Sequence, residues 1–586
     1  MADKGGNNDN GKILHLKRDH AFFVKLGDMK RAQNDPLSAL ARYREALALE
    51  PHDLDTRLAA AELLTDMSRF NDSNKLLIPY MHEDEEFKTD AYCIVGFNLL
   101  GMNELEGARN CFNRFFDLTD EVSERTDAIL DALDYIDSLS EDGPILMDAS
   151  AAEKQKQITS ANEAFDRGDF EGSARILREL VKKEPEDTGI LYDLALSCLC
   201  SYHADESEVY IDKLLSIDEN NWPGWSLKLM YAKGKKNELD VKKICRKLEK
   251  CDSVLPDELF RVNGSLLEAD CPELALVFAK RLVKLLPYDS LANHRLAISY
   301  AKLKKYRQAA DVYGRLLRID SGDFIASYYR SLCLALEEKQ GGTMEFTMLQ
   351  YQLPFDRVIN LVKELLSGNS ITADEINARW RRDGELKRIV RWAFTLHEAN
   401  INFAMISLLR LVGDETAQMM IREAASDIDA GRALINEAFG TLKRLSAPEP
   451  YFAVYNGNLL EGRVNLVDLS SIRIPKAYKD IFSRFDEKTK DIYDASVRNA
   501  AAGNAEKFIA SSAGDFKKLT EAQSAALSAA LEVLTCEQCG VEPSEDILVR
   551  YDITHRRLLN AIDRMMNVIL FGTGKLDDKN TDGEDK

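Results

Sequence analysis

Five leucines recur along this chain at a fixed spacing of 34 residues, and this period constrains the fold more than any other feature. They are Leu180, Leu214, Leu248, Leu282 and Leu316. A constant period of this length predicts stacked copies of one helical hairpin. One hairpin cannot bury its apolar face alone, so several copies must stack against each other. The sequence therefore predicts a solenoid in which each unit leans on its neighbours.

The clearest copy of the unit runs from His20 to Asp53. It has small residues at Gly27 and Ala39, which let the backbones of two facing helices approach closely. Tyr43, one turn after Ala39, is placed to fill the space between successive hairpins. Pro51 ends the second helix, because proline cannot continue it. This order of small, aromatic and helix-ending residues predicts two antiparallel helices per unit.

The pattern resembles the tetratricopeptide repeat, a pair of antiparallel helices in 34 residues. About nine copies, the last incomplete, cover more than half of the chain. Six copies share one register, and they begin at residues 154, 188, 222, 256, 290 and 324. The resemblance implies an all-α hairpin solenoid that binds other proteins without catalysing a reaction.

In this family the ligand lies in a concave groove lined by the first helix of each hairpin. The positions that the shared register assigns to that groove are Asn162, Tyr192, Met230, Phe260, His294, Ile298 and Tyr328. The best-known groove of the family grips a peptide carboxylate with a lysine and an asparagine. Ile158 and Asn162 stand at the matching positions, so half of that pair is absent and the specificity is not carried over.

Breaks in the repeat pattern divide the chain into eight parts. We expect a disordered lead (1–15), a first repeat block (16–121), a helical linker or hinge (122–153), a second repeat block (154–340), a helical segment (341–450), a β-hairpin insert (451–475), a C-terminal helical domain (476–572) and a disordered acidic tail (573–586). The helical segment is similar to HEAT repeats, and a non-repetitive helical domain explains it equally well.

A short β-hairpin is predicted within the helical second half. Tyr451–Tyr455 is rich in aromatic and β-branched residues, and Asn456-Gly457 follows it directly. Asn-Gly between β-prone runs is the strongest short-range signal for a hairpin. Such a ribbon either packs on the helices or offers an open edge to a partner.

Bulk properties favour a cytoplasmic protein. The net charge of −21 disfavours broad contact with nucleic acid or an anionic membrane. We find no apolar window long enough for a membrane span and no secretory signal in the polar N-terminus. The ten scattered cysteines are typical of reduced core residues.

Catalytic motifs are missing, so we expect neither an enzyme nor a bound cofactor. His397-Glu398 begins like a zinc-protease motif, but Ile401 stands where the second histidine is required. Cys536 and Cys539 form a lone CxxC at the end of a predicted helix. The pair is either a metal or redox site, or two semi-buried thiols at a helix terminus.

The C-terminal helices suggest a second function, that of a transcription regulator. A helix over 545–550, a tight turn and a helix capped by Thr554 fit a helix-turn-helix. The predicted core positions are Leu548, Ile553, Leu558, Leu559 and Ile562, and the predicted DNA contacts are His555, Arg556 and Arg557. A helical hairpin that closes the domain explains the same pattern, and neighbouring acidic residues dilute the positive charge.

Overall fold

The computed structural model describes most of the chain, with gaps that include the predicted lead and tail. The described residues are 18–119, 124–141, 149–201, 203–338, 349–366, 373–382, 384–464, 474–493, 495–512, 516–539, 541–544 and 546–571. Over these residues the fold is all-α apart from one two-stranded sheet. Among the described helices, none has the length and apolar character needed to cross a membrane.

The first block consists of three helical hairpins followed by a longer helix. Its helices are α1 (His20–Ala32), α2 (Pro36–Leu49), α3 (Leu54–Asp66), α4 (Phe70–Leu77), α5 (Glu85–Gly101), α6 (Leu105–Leu118) and α7 (Glu124–Glu141), with a 3₁₀ turn at Ile78–Tyr80. Aspartate caps begin several of them, and each cap accepts a hydrogen bond from a backbone N–H of the first turn, as Asp19 does for α1.

The second block consists of five hairpins and one further helix. Its helices are α8 (Ala149–Asp166), α9 (Phe170–Lys183), α10 (Thr188–Cys200), α11 (Ala204–Ile217), α12 (Trp222–Gly234), α13 (Glu238–Leu248), α14 (Pro256–Glu268), α15 (Pro272–Leu285), α16 (Ser290–Lys302), α17 (Tyr306–Ile319) and α18 (Phe324–Glu338). The five periodic leucines all lie in second helices, and each is at most 3% exposed. The period therefore marks the core of the stack, as predicted.

The predicted small residues are required by close approach of the facing helices. A Cβ on Gly27 would lie 2.5 Å from Cε1 of Tyr43, and a Cβ on Gly96 would meet the ring of Phe112 in the same way. The glycine thus makes room for the aromatic ring of the second helix. This confirms the role that the sequence pattern gave to Gly27 and Tyr43.

The second half of the chain contains the remaining helices and the hairpin. They are α19 (Phe355–Leu366), α20 (Ala373–Arg382), α21 (Gly384–Phe394), α22 (Ala399–Val412), α23 (Glu415–Ala425), α24 (Arg432–Arg444), β1 (Tyr451–Tyr455), β2 (Asn458–Gly462), α25 (Lys476–Thr489), α26 (Ala495–Ser512), α27 (Glu521–Cys539), α28 (Ile547–Tyr551) and α29 (His555–Phe571). Helices α25 to α29 have a core of their own.

The β-hairpin packs on the first block, which is the first of the two predicted alternatives. The strands pair antiparallel, and Asn456 and Gly457 both have positive φ in the turn. Phe452 and Val454 are buried in the core of the first block, and the Tyr92 hydroxyl donates to Oε2 of Glu461 at 3.3 Å. The apolar residues of β1 therefore pack the hairpin against the first block.

The two blocks do not form one open coil, because the first block folds back onto the end of the second. Helix α2 packs on α17, and residues of both helices share one core. Arg69 Nη1 donates to the Ser290 hydroxyl at 2.8 Å. Lys75 Nζ lies 2.6 Å from Oδ2 of Asp427, which joins the first block to the helical segment.

Candidate peptide groove

The first helices of successive hairpins lie side by side and form the inner face of the second block. Helix α10 contacts α12, α12 contacts α14, and α14 contacts α16. The predicted groove residues differ widely in exposure along this face. Asn162 is exposed, Tyr192, Met230, Phe260 and Tyr328 are half-buried, and His294 and Ile298 are fully buried. Both fully buried positions lie on α16.

The chain's own residues 349–354, here called the inner-face segment, cover the end formed by α14, α16 and α18. The Tyr351 ring lies 5.4 Å from the ring of His294 on α16. The Tyr351 hydroxyl donates to Oδ2 of Asp323 at 2.5 Å, and the Tyr329 hydroxyl donates to the carbonyl of Gln352 at 2.9 Å. These contacts explain why His294 is inaccessible.

The inner-face segment also reaches α14. A Cβ placed on Gly264 would lie 3.8 Å from Cδ1 of Leu349 and 3.2 Å from Nη1 of Arg295, so both side chains rest on this glycine. Burial lowers the pKa of Arg295 to about 10, against the opposing field of Glu268. The segment thus contacts three helices of the inner face, α14, α16 and α18.

The contact between the inner-face segment and α18 carries a perturbed carboxyl group. Asp323 caps α18 and accepts the backbone N–H of Ala326 at 2.9 Å. Burial raises the pKa of Asp323 to about 6, and the neighbouring Asp320 adds to this, whereas the bonds from Ala326 and Tyr351 act in the opposite direction. The hydrogen bond between Tyr351 and Asp323, which holds the inner-face segment on α18, therefore depends on pH.

The other end of the inner face, formed by α8, α10 and α12, has a different environment. These helices make their main contacts with helices next to them in the repeat array. The Arg261 guanidinium on α14 lies 4.5 Å from the centre of the Tyr192 ring on α10. The Arg261 side chain therefore reaches past α12, which lies between these two helices in the chain. Burial raises the pKa of Asp193, while Arg261 opposes the shift. This end presents an aromatic ring, a cation and a carboxyl group together.

The C-terminal residues proposed to contact DNA lie at the start of α29. His555, Arg556 and Arg557 are exposed, and Thr554 Oγ1 accepts the backbone N–H of Arg557 at 3.4 Å. The preceding helix α28 has only five residues. The prediction that Leu559 is buried is wrong, because this side chain is 48% exposed.

The two cysteines of the CxxC motif lie at the end of α27, as the sequence predicted. Cys536 is fully buried, and burial raises its pKa above the ordinary value of a thiol. In the described part of the chain, the group with metal-ligand geometry is instead His397, Asp427 and Asp429, whose ligand atoms lie within 4.8 Å of one another. Asp427 is already paired with Lys75, so its charge is neutralised within the fold.

Comparison with known proteins identifies the repeat. A family model for the tetratricopeptide repeat matches residues 158–199. A search of curated proteins found no matching sequence. The helical hairpins and this match together define a helical repeat protein that contains a tetratricopeptide repeat.

Solved structures that resemble the chain include three proteins of low sequence identity. YrrB, a tetratricopeptide-repeat protein with an unusual peptide-binding site, is 18% identical over 29% of this chain and 89% of its own, with a TM-score of 0.23. The TPR2AB domain of yeast Sti1 in complex with pHSP90 is 11% identical over 51% and 98%, with a TM-score of 0.20. The human IFIT1 dimer with PPP-AAAA is 14% identical over 73% and 90%, with a TM-score of 0.26.

Proposed function

We propose that this chain is a non-catalytic, cytoplasmic interaction scaffold that binds a peptide or helical segment of another protein on the inner face of α8, α10, α12 and α14. The proposal rests on a difference between the two ends of the inner face. One end holds the chain's own residues 349–354, and the other end has predicted groove residues that remain partly exposed. We therefore expect a partner to contact Asn162, Tyr192, Met230 and Phe260.

The chemistry of this end suits an extended ligand with apolar anchors. Tyr192 and Phe260 are half-buried aromatic side chains on rigid helices, and aromatic residues often carry much of the binding energy in interfaces. Asn162 can hydrogen-bond to a peptide backbone and fix its register. The stacked helices hold these groups at fixed separations, so little ordering is needed when a partner binds.

Binding of selected peptides tests the proposal. Twelve-residue peptides are selected from a random phage-displayed library against the full chain, and their affinity is measured by fluorescence anisotropy. Tyr192→Ala combined with Phe260→Ala should weaken binding at least tenfold. Val209→Ala combined with Leu239→Ala is the matched control, since these side chains are 64% and 81% exposed on the second helices α11 and α13. Equal loss in both variants, or no selected peptide, would contradict the proposal.

The exposed basic residues at the start of α29 support a second candidate, a regulator whose C-terminal helices touch DNA. His555, Arg556 and Arg557 lie in one helical turn and face solvent. A gel shift with random-sequence duplex DNA at low salt, repeated with Arg556→Glu and Arg557→Glu together, tests it. Identical behaviour of the variant and the parent chain would contradict a role for these residues in DNA binding.

A further inference from the structure

One joint of the second block differs from the others, namely the joint between the hairpin of α12 and α13 and the hairpin of α14 and α15. Helix α13 has 11 residues, whereas α9, α11, α15 and α17 have 14 each. Seven residues (249–255) connect α13 to α14, whereas four connect each of the longer helices to the next helix. This joint therefore has a shorter helix and a longer connection.

Helix α13 also packs less on the following hairpin. Helices α9, α11, α15 and α17 each pack on the first helix of the next hairpin, whereas the main contacts of α13 with described helices are those with α12. Val254 and Leu255 in the connection are 72% and 57% exposed. Few packing contacts and an exposed backbone lower the free energy of local opening. We therefore expect the second block to open most easily at this joint.

Two thiols meet across this joint. Cys245 lies on α13, and Cys271 is the residue directly before α15. Their Sγ atoms lie 3.4 Å apart. Both residues are half-buried and pack against the core of the second block. A disulfide has an S–S distance of about 2.05 Å, so the two sulfur atoms need to approach by only about 1.4 Å more.

The turn before α15 fixes the position of Cys271. The backbone N–H of Cys271 donates to the carbonyl of Leu266 at 2.8 Å, and the preceding Asp270 has a φ of 61°. Nζ of Lys302 on α16 lies 3.6 Å from Oδ1 of Asp270. Pro272 follows and begins α15, and its ring fixes the backbone φ there. Cys271 is therefore held opposite α13 by a constrained backbone.

We propose that Cys245 and Cys271 form a reversible disulfide bond on exposure to a peroxide, and that this bond fastens the joint between the two hairpins. Disulfides that form in a reducing compartment are usually transient and redox-sensing. A dithiol reductant returns the pair to two thiols by exchange. None of the proposed groove residues takes part in the bond, so this modification site is separate from the proposed peptide site.

The two thiols have different roles in the oxidation. Burial, with a smaller effect of the hydrogen bond to Cys271, raises the pKa of Cys245 to about 12, so Cys245 is a poor first nucleophile at neutral pH. The Cys271 thiolate therefore attacks one oxygen of hydrogen peroxide. The O–O bond breaks, and the leaving hydroxide takes up the proton of the Cys271 thiol and becomes water. The product on Cys271 is a sulfenic acid.

The second step forms the disulfide. The sulfur of Cys245 attacks Sγ of Cys271, the S–O bond breaks, and the leaving hydroxide takes up the proton of Cys245 as a second water. Two thiols are thus oxidised to one disulfide, while one hydrogen peroxide is reduced to two waters. The bond encloses residues 249–255 and all of α14 in a covalent loop, so it restricts the open conformations of this stretch.

Peptide mapping of the full chain tests whether the bond forms. The reduced protein is treated with hydrogen peroxide, its remaining thiols are alkylated, and it is digested with trypsin without a reductant. Lysine and arginine residues separate Cys245, Cys251 and Cys271 in the sequence, so trypsin places them in three different peptides. We expect the peptides of Cys245 and Cys271 to be linked, and dithiothreitol to separate them. Absence of this linked pair, or linkage of Cys245 to Cys251 instead, would overturn the proposal.

Variants test the order of the two steps. Cys245→Ser leaves the sulfenic acid on Cys271 without a second thiol, so dimedone should label Cys271 about tenfold more than in the parent chain. Cys200→Ser is the matched control, because Cys200 is exposed on α10, and it should form the linked pair as the parent chain does. Equal labelling of Cys271 in Cys245→Ser and in the parent chain would contradict the proposed order.

Hydrogen exchange measures whether the bond fastens the joint. Peroxide should slow exchange of the backbone amides in residues 249–255 of the parent chain by about tenfold, and dithiothreitol should reverse the effect. Cys245→Ser treated in the same way should show no slowing. Equal slowing in this variant, or unchanged exchange in a parent chain that carries the bond, would show that the disulfide does not fasten the joint.

Discussion

The hydroxyl of Tyr351 lies 2.5 Å from Oδ2 of Asp323, the residue that caps α18. This bond fixes the inner-face segment at the point where α16, α17 and α18 meet, because the Tyr351 ring also contacts His294. The chain therefore supplies its own occupant for one end of the inner face. Under the proposed function, a partner binds at the other end.

Removal of the Tyr351 hydroxyl should weaken the inner-face segment. Tyr351→Phe keeps the ring and loses the hydrogen bond to a carboxylate, a contribution of about 1.5–3 kcal/mol. We expect faster hydrogen exchange of the backbone amides in residues 349–354 and a lower free energy of unfolding. Tyr135→Phe is the matched control, since Tyr135 is 55% exposed on α7, and it should change neither quantity.

Stability should depend on pH through Asp323. The pKa of Asp323, about 6, lies above the value in an unfolded chain, chiefly because of burial. The protonated carboxyl group therefore contributes to the free energy of unfolding, and this contribution is fully present below pH 4 and is lost as the pH rises through 6. Asp323→Asn keeps the cap and cannot ionise. The stability of the variant relative to the parent should rise by about 2 kcal/mol between pH 4 and pH 7. Urea unfolding at both pH values measures this difference, and a constant difference would contradict it.

A methyl group at Gly27 should disrupt the first hairpin. In Gly27→Ala the new Cβ meets the Tyr43 ring, and overpacking of this kind costs about 1–3 kcal/mol. Gly503→Ala in the middle of α26 is the matched control, because no atom of another residue lies within 4 Å of its Cβ position. Alanine is the better helix former there, so this control should gain about 0.5–1 kcal/mol. Thermal unfolding distinguishes the two.

The C-terminal domain should depend on a buried ion pair. Glu532 is fully buried, and its Oε1 accepts from Nη1 of Arg550 at 3.1 Å and from the Tyr493 hydroxyl at 2.8 Å. Arg550→Met leaves the carboxylate unpaired and should cost about 3–5 kcal/mol. Adding Glu532→Gln removes the uncompensated charge and should restore most of the lost stability in chemical unfolding. Failure of the second change to restore it would show that packing of Arg550 dominates.

Local features of the fold could be predicted from the sequence because neighbouring residues determine them. The 34-residue period predicted the hairpins, and Asn456-Gly457 predicted the turn between the strands. Gly27 together with Tyr43 predicted the close approach of the two helices of the first hairpin. Each of these signals acts within one hairpin or between adjacent ones. Their physical causes are therefore visible in short stretches of sequence.

Contacts between distant parts of the chain could not be predicted in this way. The register placed His294 and Ile298 in the groove, but it carried no information on the segment around Tyr351 that covers His294. Docking of α2 on α17 likewise brings together helices that are far apart in sequence.

The most direct test of the account is the location of a bound peptide on the second block. A photo-crosslinking amino acid is placed in turn at Met230, Leu239 and Tyr328, and each full chain is irradiated with a peptide selected from the random library. The account predicts crosslinks from Met230 on the inner face of α12, and none from Leu239 on α13 or from Tyr328 on α18. Crosslinks from Leu239 or Tyr328 without any from Met230 would contradict it.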